Sequence, residues 1–110
     1  MKTSEILVLG RANIERGWTQ KAYVRDSIGA RVWPPDHPNV TCYCLDGSLL
    51  AVDWNVALEN RPLARDLLLR KVARRGYCTI AAFNDAQGRK KEEILEVYDE
   101  AIAEAKLLDV

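Results

Sequence analysis

Lys90-Lys91-Glu92-Glu93-Ile94-Leu95-Glu96-Val97-Tyr98-Asp99-Glu100-Ala101-Ile102-Ala103-Glu104-Ala105-Lys106-Leu107-Leu108 carries the clearest periodic pattern in the chain. Ile94, Tyr98, Ala101, Ala105 and Leu108 fall on one face of an α-helix, with Leu95 and Ile102 beside them. A helix with one apolar stripe has to bury it against another element, so the stretch predicts a packed helical domain. Just before it, Asn84-Asp85-Ala86-Gln87-Gly88 has the composition of a turn. Cys78-Thr79-Ile80-Ala81-Ala82-Phe83 reads as a short extended segment.

Further upstream, Asn60-Arg61-Pro62 restarts the chain after a break, and proline is tolerated in a first helical turn. Leu63, Leu67, Leu68 and Val72 then carry a helix to a stop at Gly76. Thr41 can cap another helix reaching about Leu58, in which Leu45, Leu49, Val52 and Val56 make one stripe. Ile6, Leu7, Leu9, Ala12 and Ile14 mark a first helix from Thr3 to Arg16, capped by Thr3 or Ser4. Gly17 comes next in the left-handed closing position, and Trp18 folds back on the last turn. Between the first two helices, Ala22-Tyr23-Val24 and Ala30-Arg31-Val32-Trp33 flank the turn Asp26-Ser27-Ile28-Gly29 as a β-hairpin. The prolines at 34, 35 and 38 make residues 34–39 a loop. The expected fold is mainly α: four helices with a small β-hairpin and one short extended segment, an α+β arrangement being the alternative.

The 110 residues, 48% of them hydrophobic, suit one domain over 1–110 with one core. Sixteen Lys plus Arg balance sixteen Asp plus Glu, which removes any global attraction to nucleic acid or an anionic membrane. The N-terminal residues lack a signal-peptide apolar region and no stretch is long enough to span a bilayer, so a cytoplasmic location is expected. Cys42, Cys44 and Cys78 are expected as reduced thiols.

Four constellations could carry chemistry. Cys44, near a helix start, could be a lowered-pKa nucleophile, but the only histidine, His37, lies in the proline-rich loop. Cys42, Cys44, Cys78 and His37 match a zinc site in number and not in spacing, since Cys-x-Cys lacks the usual knuckle, so no metal or cofactor is expected. Arg89, Lys90 and Lys91 sit at a helix N-terminus, where the dipole opposes cations; a bound anion would remove that conflict. Arg61, Arg65, Arg70, Lys71, Arg74 and Arg75 spread round the third helix without a tight stripe. Of the aromatic residues, most belong to the core, and Trp33, beside two prolines, is the one placed at the surface.

Gly17-Trp18-Thr19-Gln20, Asp26-Ser27-Ile28-Gly29, Cys44-Leu45-Asp46-Gly47-Ser48-Leu49 and Phe83-Asn84-Asp85 with Gly88-Arg89, together with Tyr98-Asp99-Glu100-Ala101-Ile102, span most of the chain. This set resembles an uncharacterised family of small bacterial and phage proteins marked by Gly-Trp-x-Gln, Cys-x-x-Gly-small-Leu and Trp/Phe-Asn-Asp motifs. The sequence departs from that pattern at Phe83, where tryptophan is usual, and at Lys90, where a capping threonine is common. The resemblance implies an accessory protein of a bacterium or phage and supplies no activity.

Without a competent acid–base set, the leading expectation is a non-enzymatic binding protein. It would be a phage or mobile-element accessory factor that inhibits a host defence protein or sequesters a small anionic ligand. Its expected contacts are Trp18, Gln20, Trp33, Asn84, Asp85, Arg89 and Lys90. Two alternatives are a helical DNA-binding or regulatory dimer using the third helix, and a cysteine hydrolase using Cys44 with Asn84 or Asp85 as orienting group.

Overall fold

Residues 1–110 are described by a computed structural model, and the longest helices stand where the periodicity puts them. Thr3–Arg16 is α1, Arg61–Arg74 is α3 and Lys91–Leu107 is α5. Two short helices, α2 over Leu45–Leu50 and α4 over Ile80–Asn84, complete the helical set. A two-stranded antiparallel sheet, β1 over Val24–Arg25 and β2 over Cys42–Tyr43, makes the protein mainly helical with a small β element. None of its helices is long and apolar enough to cross a membrane.

The core is one cluster of nineteen buried apolar residues, with α1 packed on α5, α2 and α3. From α5 it takes Ile94, Val97, Tyr98, Ala101 and Ala105; Leu108, expected on the same face, closes the helix and is 55% exposed. Val97, not singled out in the stripe, takes a buried place beside Tyr98. On α1, Leu9 and Ala12 face solvent, and the buried face runs through Thr3, Ile6, Leu7, Gly10, Asn13 and Ile14. Apart from the Thr3 hydroxyl, which is buried without a partner, the polar side chains inside this core are joined. Asn13 donates to the Ser48 carbonyl at 2.9 Å, and the Ser48 hydroxyl meets the Tyr98 hydroxyl at 2.6 Å, so α1, α2 and α5 share one network. Burial pushes the Tyr98 phenol far above its ordinary range. Lys71 on α3 is buried, and its ammonium finds Glu104 of α5 at 2.6 Å. That bond holds Glu104 below the usual carboxylate range.

Several expectations change. The segment expected to be extended, 78–83, becomes α4: Thr79 accepts the Ala82 N–H as N-cap, and Ile80 and Phe83 turn into the core on one helical face. The hairpin keeps its turn, with Asp26 accepting from Ile28, Ala30 and, through its carbonyl, Gly29, but its second arm holds only a single bridge to Arg25. The regular partner of β1 is Cys42–Tyr43, which the sequence placed in a helix. The second helix therefore starts at Leu45 with Cys44 as N-cap, and the cap at α1 is Lys2 in place of Thr3 or Ser4. The second helix also ends early, at Leu50. The Arg61 guanidinium takes the carbonyls of Leu49 and Leu50, Asp53 adopts a positive φ of 44°, and Val56 is left 54% exposed.

Two glycines are explained by close approach. Gly17 has an extended φ of 175°, so it does not occupy the left-handed position expected of it. A Cβ there would meet the Thr41 carbonyl oxygen at 2.2 Å, because β2 runs alongside and Tyr43 donates to the Gly17 carbonyl. At Gly47 a Cβ would lie 2.1 Å from the Tyr23 carbonyl oxygen.

Gly47→Ala sets these effects against each other. Alanine gains about 1 kcal/mol of helix propensity, but the clash is with backbone and cannot be relieved by a rotamer change. Overpacking of this kind costs roughly 1–3 kcal/mol and at a main-chain contact falls at or above the upper end. The variant is expected to show a clearly lower urea midpoint at an unchanged slope; a midpoint at or above the parent's would refute the close-approach account.

Candidate functional site

The 21–33 segment, the start of α2 and the helix α4 enclose a cleft of about 600 Å³. One wall is the main chain and side chains of Lys21, Ala22, Tyr23 and Val24; Arg31, Val32 and Trp33 continue it. Facing them are Ile80, Ala81, Asn84 and Asp85 of α4 and its closing turn, with Cys44 and Asp46 from the start of α2. Tyr23 and Trp33 stand edge to face with centroids 5.6 Å apart, both about half exposed, and Trp54 backs Trp33 at 5.4 Å.

Asn84, 1% exposed, organises this cleft. Its Oδ1 accepts the Trp18 indole N–H at 2.8 Å and the Leu45 N–H at 3.0 Å; its Nδ2 donates to the Thr19 carbonyl at 3.1 Å and to Asp85 Oδ1 at 2.9 Å. All four positions of the carboxamide are thus used inside the protein. Gln20 donates to the carbonyls of Asn84 and Ala86, and Asp85 Oδ1 also accepts the Lys21 N–H at 2.8 Å. Of the residues expected to make contacts, Trp18, Gln20, Asn84 and Asp85 are therefore brought together, with Trp33 on the rim. Trp18 and Gln20 are not among the lining residues and brace the cleft from behind through Asn84, whereas Asn84, Asp85 and Trp33 line it.

Arg89 and Lys90 lie elsewhere. The Arg89 guanidinium carbon stands over the Phe83 ring, 3.8 Å from its centroid, and the guanidinium donates to the Phe83 carbonyl and to Glu93. Glu93 also accepts the Lys90 N–H at 2.8 Å, while Lys91 reaches the Glu15 carbonyl at the end of α1. The unfavourable cations at the start of α5 are answered by the protein's own carboxylate, held below its ordinary range first by the Lys90 N–H and then by Arg89. Glu93 fills the place that the sequence reserved for an external anion.

Two further cations without carboxylate partners, Lys21 and Arg31, belong to the cleft, and the sequence reasoning missed them. Lys21 adopts a positive φ of 63°, a conformation costly for a side chain with a Cβ. Asp85 holds its N–H, and Arg31 donates to its carbonyl at 2.9 Å. The Lys21 ammonium and the rest of the Arg31 guanidinium make no ion pair, whereas Asp46 is taken in a two-pronged bond by Arg65. No motif announces Lys21 or Arg31; their meeting depends on how the 21–33 segment folds over α4.

Cys44 is a poor nucleophile in this setting. Burial is the main cause that pushes its thiol up to about 11, outweighing the Gly47 N–H that its sulfur accepts. His37 uses its Nδ1 to accept the Asn39 N–H and does not line the cleft. Cys42 donates weakly to the Arg25 carbonyl and Cys78 is exposed, so the four residues weighed as a zinc set are engaged separately. No group of three or more His, Cys, Asp or Glu side chains could hold a metal ion. The cations of α3 are also mostly engaged: Arg70 and Lys71 with Glu104, Arg75 with Glu100, Arg65 with Asp46.

The thiol and the carboxamide can each be tested. Alkylation at neutral pH should modify Cys78 rapidly and leave Cys44 largely untouched, read by peptide mass spectrometry. Because the folded pKa of Cys44 is raised, its contribution to stability is present below the thiol's unfolded pKa and is lost as pH rises toward about 11. Prompt alkylation of Cys44 in the folded protein would contradict the burial account. Asn84→Asp removes both donors, leaves the Thr19 carbonyl unpaired and sets a carboxylate against Asp85; a loss on the order of 3–5 kcal/mol is expected in chemical denaturation. A loss under about 1 kcal/mol would show that the carboxamide does not organise the cleft.

No curated protein and no solved structure matches the chain. Residues 1–104 do match the model of a family described as a family of unknown function, DUF6197. The match covers nearly the whole length, including every segment that builds the cleft, and the chain belongs to that family.

Proposed function

We propose that this is a non-enzymatic binding protein, an accessory factor of a bacterium or phage, that captures a small anionic ligand in the cleft between the 21–33 segment and α4. The observation that carries the reading is the pair of cations without carboxylate partners, Lys21 and Arg31, on the rim of an apolar, aromatic-walled cleft. Other cations also lack a carboxylate partner, but Lys21 and Arg31 are the two that line this cleft. The cleft has the size of a small-molecule site, roughly 300–1,000 Å³ in known proteins, and a few polar groups set in an apolar lining are the usual means of orienting a ligand. A raised thiol pKa, a carboxamide with no unused position and the lack of a nearby histidine weigh against hydrolysis at Cys44. The paired cations of α3 weigh against the DNA-contacting dimer.

A second reading, antagonism of a host defence protein, is favoured by the half-exposed Tyr23 and Trp33, since exposed aromatic side chains are the commonest anchors of protein interfaces. Thermal melting separates the two. In a panel of aryl carboxylates, sugar phosphates, nucleotides and short acidic peptides, a ligand at a hundredfold excess over its Kd should add about 2.7 kcal/mol, a rise of many degrees for a chain of this size. The rise should vanish in the Lys21→Gly, Arg31→Ala double variant. If no small anion moves the transition, the small-ligand reading falls, and capture from host lysate that fails with Tyr23→Ser and Trp33→Ser would support the protein target.

A further inference from the structure

Resting on the binding reading above, we infer that the ligand of the cleft is a nucleoside phosphate. Three groups share the cleft, and each alone would suit a different ligand. Tyr23 and Trp33 offer ring surface, which suits a planar apolar body. Lys21 and Arg31 both line the cleft, with the Arg31 guanidinium bonded to the Lys21 main-chain carbonyl, and a pair of cations there suits phosphate oxygens. Asp85 sits between the wall and these cations: its Oδ1 is occupied by the Lys21 N–H and Asn84 Nδ2, and its second oxygen has no partner.

That carboxylate narrows the choice. A plain anion, such as inorganic phosphate or an aryl carboxylate, would gain from Lys21 and be repelled by Asp85, whose oxygen lies within one hydrogen bond of the Lys21 main chain. A ligand that brings hydroxyl donors beside its negative group satisfies both. A ribose 5-phosphate unit has that arrangement, and an attached base supplies the planar body for the aromatic wall. Asp46 does not compete for the phosphate region, because Arg65 already engages both its oxygens.

The backbone at Lys21 supports the same assignment. A positive φ of 63° would be easier for glycine, so a lysine there, in the lining of the cleft, carries a conformational cost that no ion pair of its ammonium within the protein offsets. Lys21→Gly consequently separates folding from binding: it relieves the strain while removing the charge.

The test is a fluorescence titration, reading Trp33, with AMP, GMP, CMP and UMP against adenosine, inorganic phosphate, benzoate and 2′,3′-dideoxyadenosine monophosphate. Trp33→Phe serves as the control for the signal. At least one ribonucleoside monophosphate is expected to bind saturably, with the corresponding nucleoside and the dideoxy form each at least tenfold weaker and phosphate alone without effect. Lys21→Gly and Arg31→Ala should each weaken the nucleotide by tenfold or more, and Lys21→Gly, which relieves the strained backbone, should melt no lower than about the parent. A 5′-phosphorylated trinucleotide distinguishes the source of this chemistry: tighter binding than the monomer assigns the site to a strand end, weaker binding to free nucleotide. A nucleotide that binds no better than its nucleoside, or binds Lys21→Gly as well as the parent, would overturn the inference. If no nucleotide binds but benzoate or another anion does so through Lys21, the nucleoside phosphate assignment fails and the binding reading stands. If no anion binds, both fail.

Discussion

One buried carboxamide holds the two halves of this protein in register. Asn84 is reached from the Trp18 indole, the Leu45 main chain and the Thr19 carbonyl, three places that share no regular element, and it ties them to Asp85. A buried amide with every position filled contributes little net energy per bond, but each partner it leaves unpaired would be costly, and that asymmetry specifies a single arrangement. Around it, Gln20 secures the carbonyls of Asn84 and Ala86, and Gly47 allows the start of α2 to press against the Tyr23 carbonyl. Gln20, Cys44, Gly47 and Asn84 thus converge behind one side of the cleft, each for a reason of packing or hydrogen bonding.

Charge in the fold follows a related logic. Arg65, Arg70, Lys71 and Arg75 of α3 each meet a carboxylate of another element, and Arg89 is stacked on Phe83 while bonded to Glu93. Exposed pairs of this sort add little stability; their effect here is to remove charge from the surface on which a basic partner site would have to be built. Against that background two residues with cations free of carboxylates in the lining of one cleft carry more meaning than a run of arginines along a helix.

The long helices are legible in the sequence because their apolar periods extend over many turns: Ile94, Tyr98, Ala101 and Ala105 fix the face of α5, and Leu67, Leu68 and Val72 that of α3. Short elements are not. Residues 78–83 have β-favouring composition, yet Thr79 caps one helical turn that puts Ile80 and Phe83 in the core, a tertiary preference that overrides local propensity. Cys42 and Tyr43 precede a helix and carry no alternation, so nothing in their neighbourhood says that they pair with Val24 and Arg25. For the site, the motif residues Trp18, Gln20, Asn84 and Asp85 are recognisable as polar or aromatic positions that a helix bundle does not require. Lys21 and Arg31 are not recognisable, since their significance lies in a left-handed backbone and a side-chain to main-chain bond between residues ten apart. Arg89 misleads because an isolated-helix argument cannot see Glu93 turning back to cap its own helix.

The bonds that close the cleft join residues 18–21 to residues 84–86, more than sixty positions along the chain. Each helix can begin to form from contacts within its own sequence, but this wall gains nothing until α4 has docked on the amino-terminal half. During synthesis the aromatic surface of Tyr23 and Trp33 therefore emerges long before the segment that will frame it. The binding surface is among the last features to be completed, and only a chain that has brought both halves together acquires it.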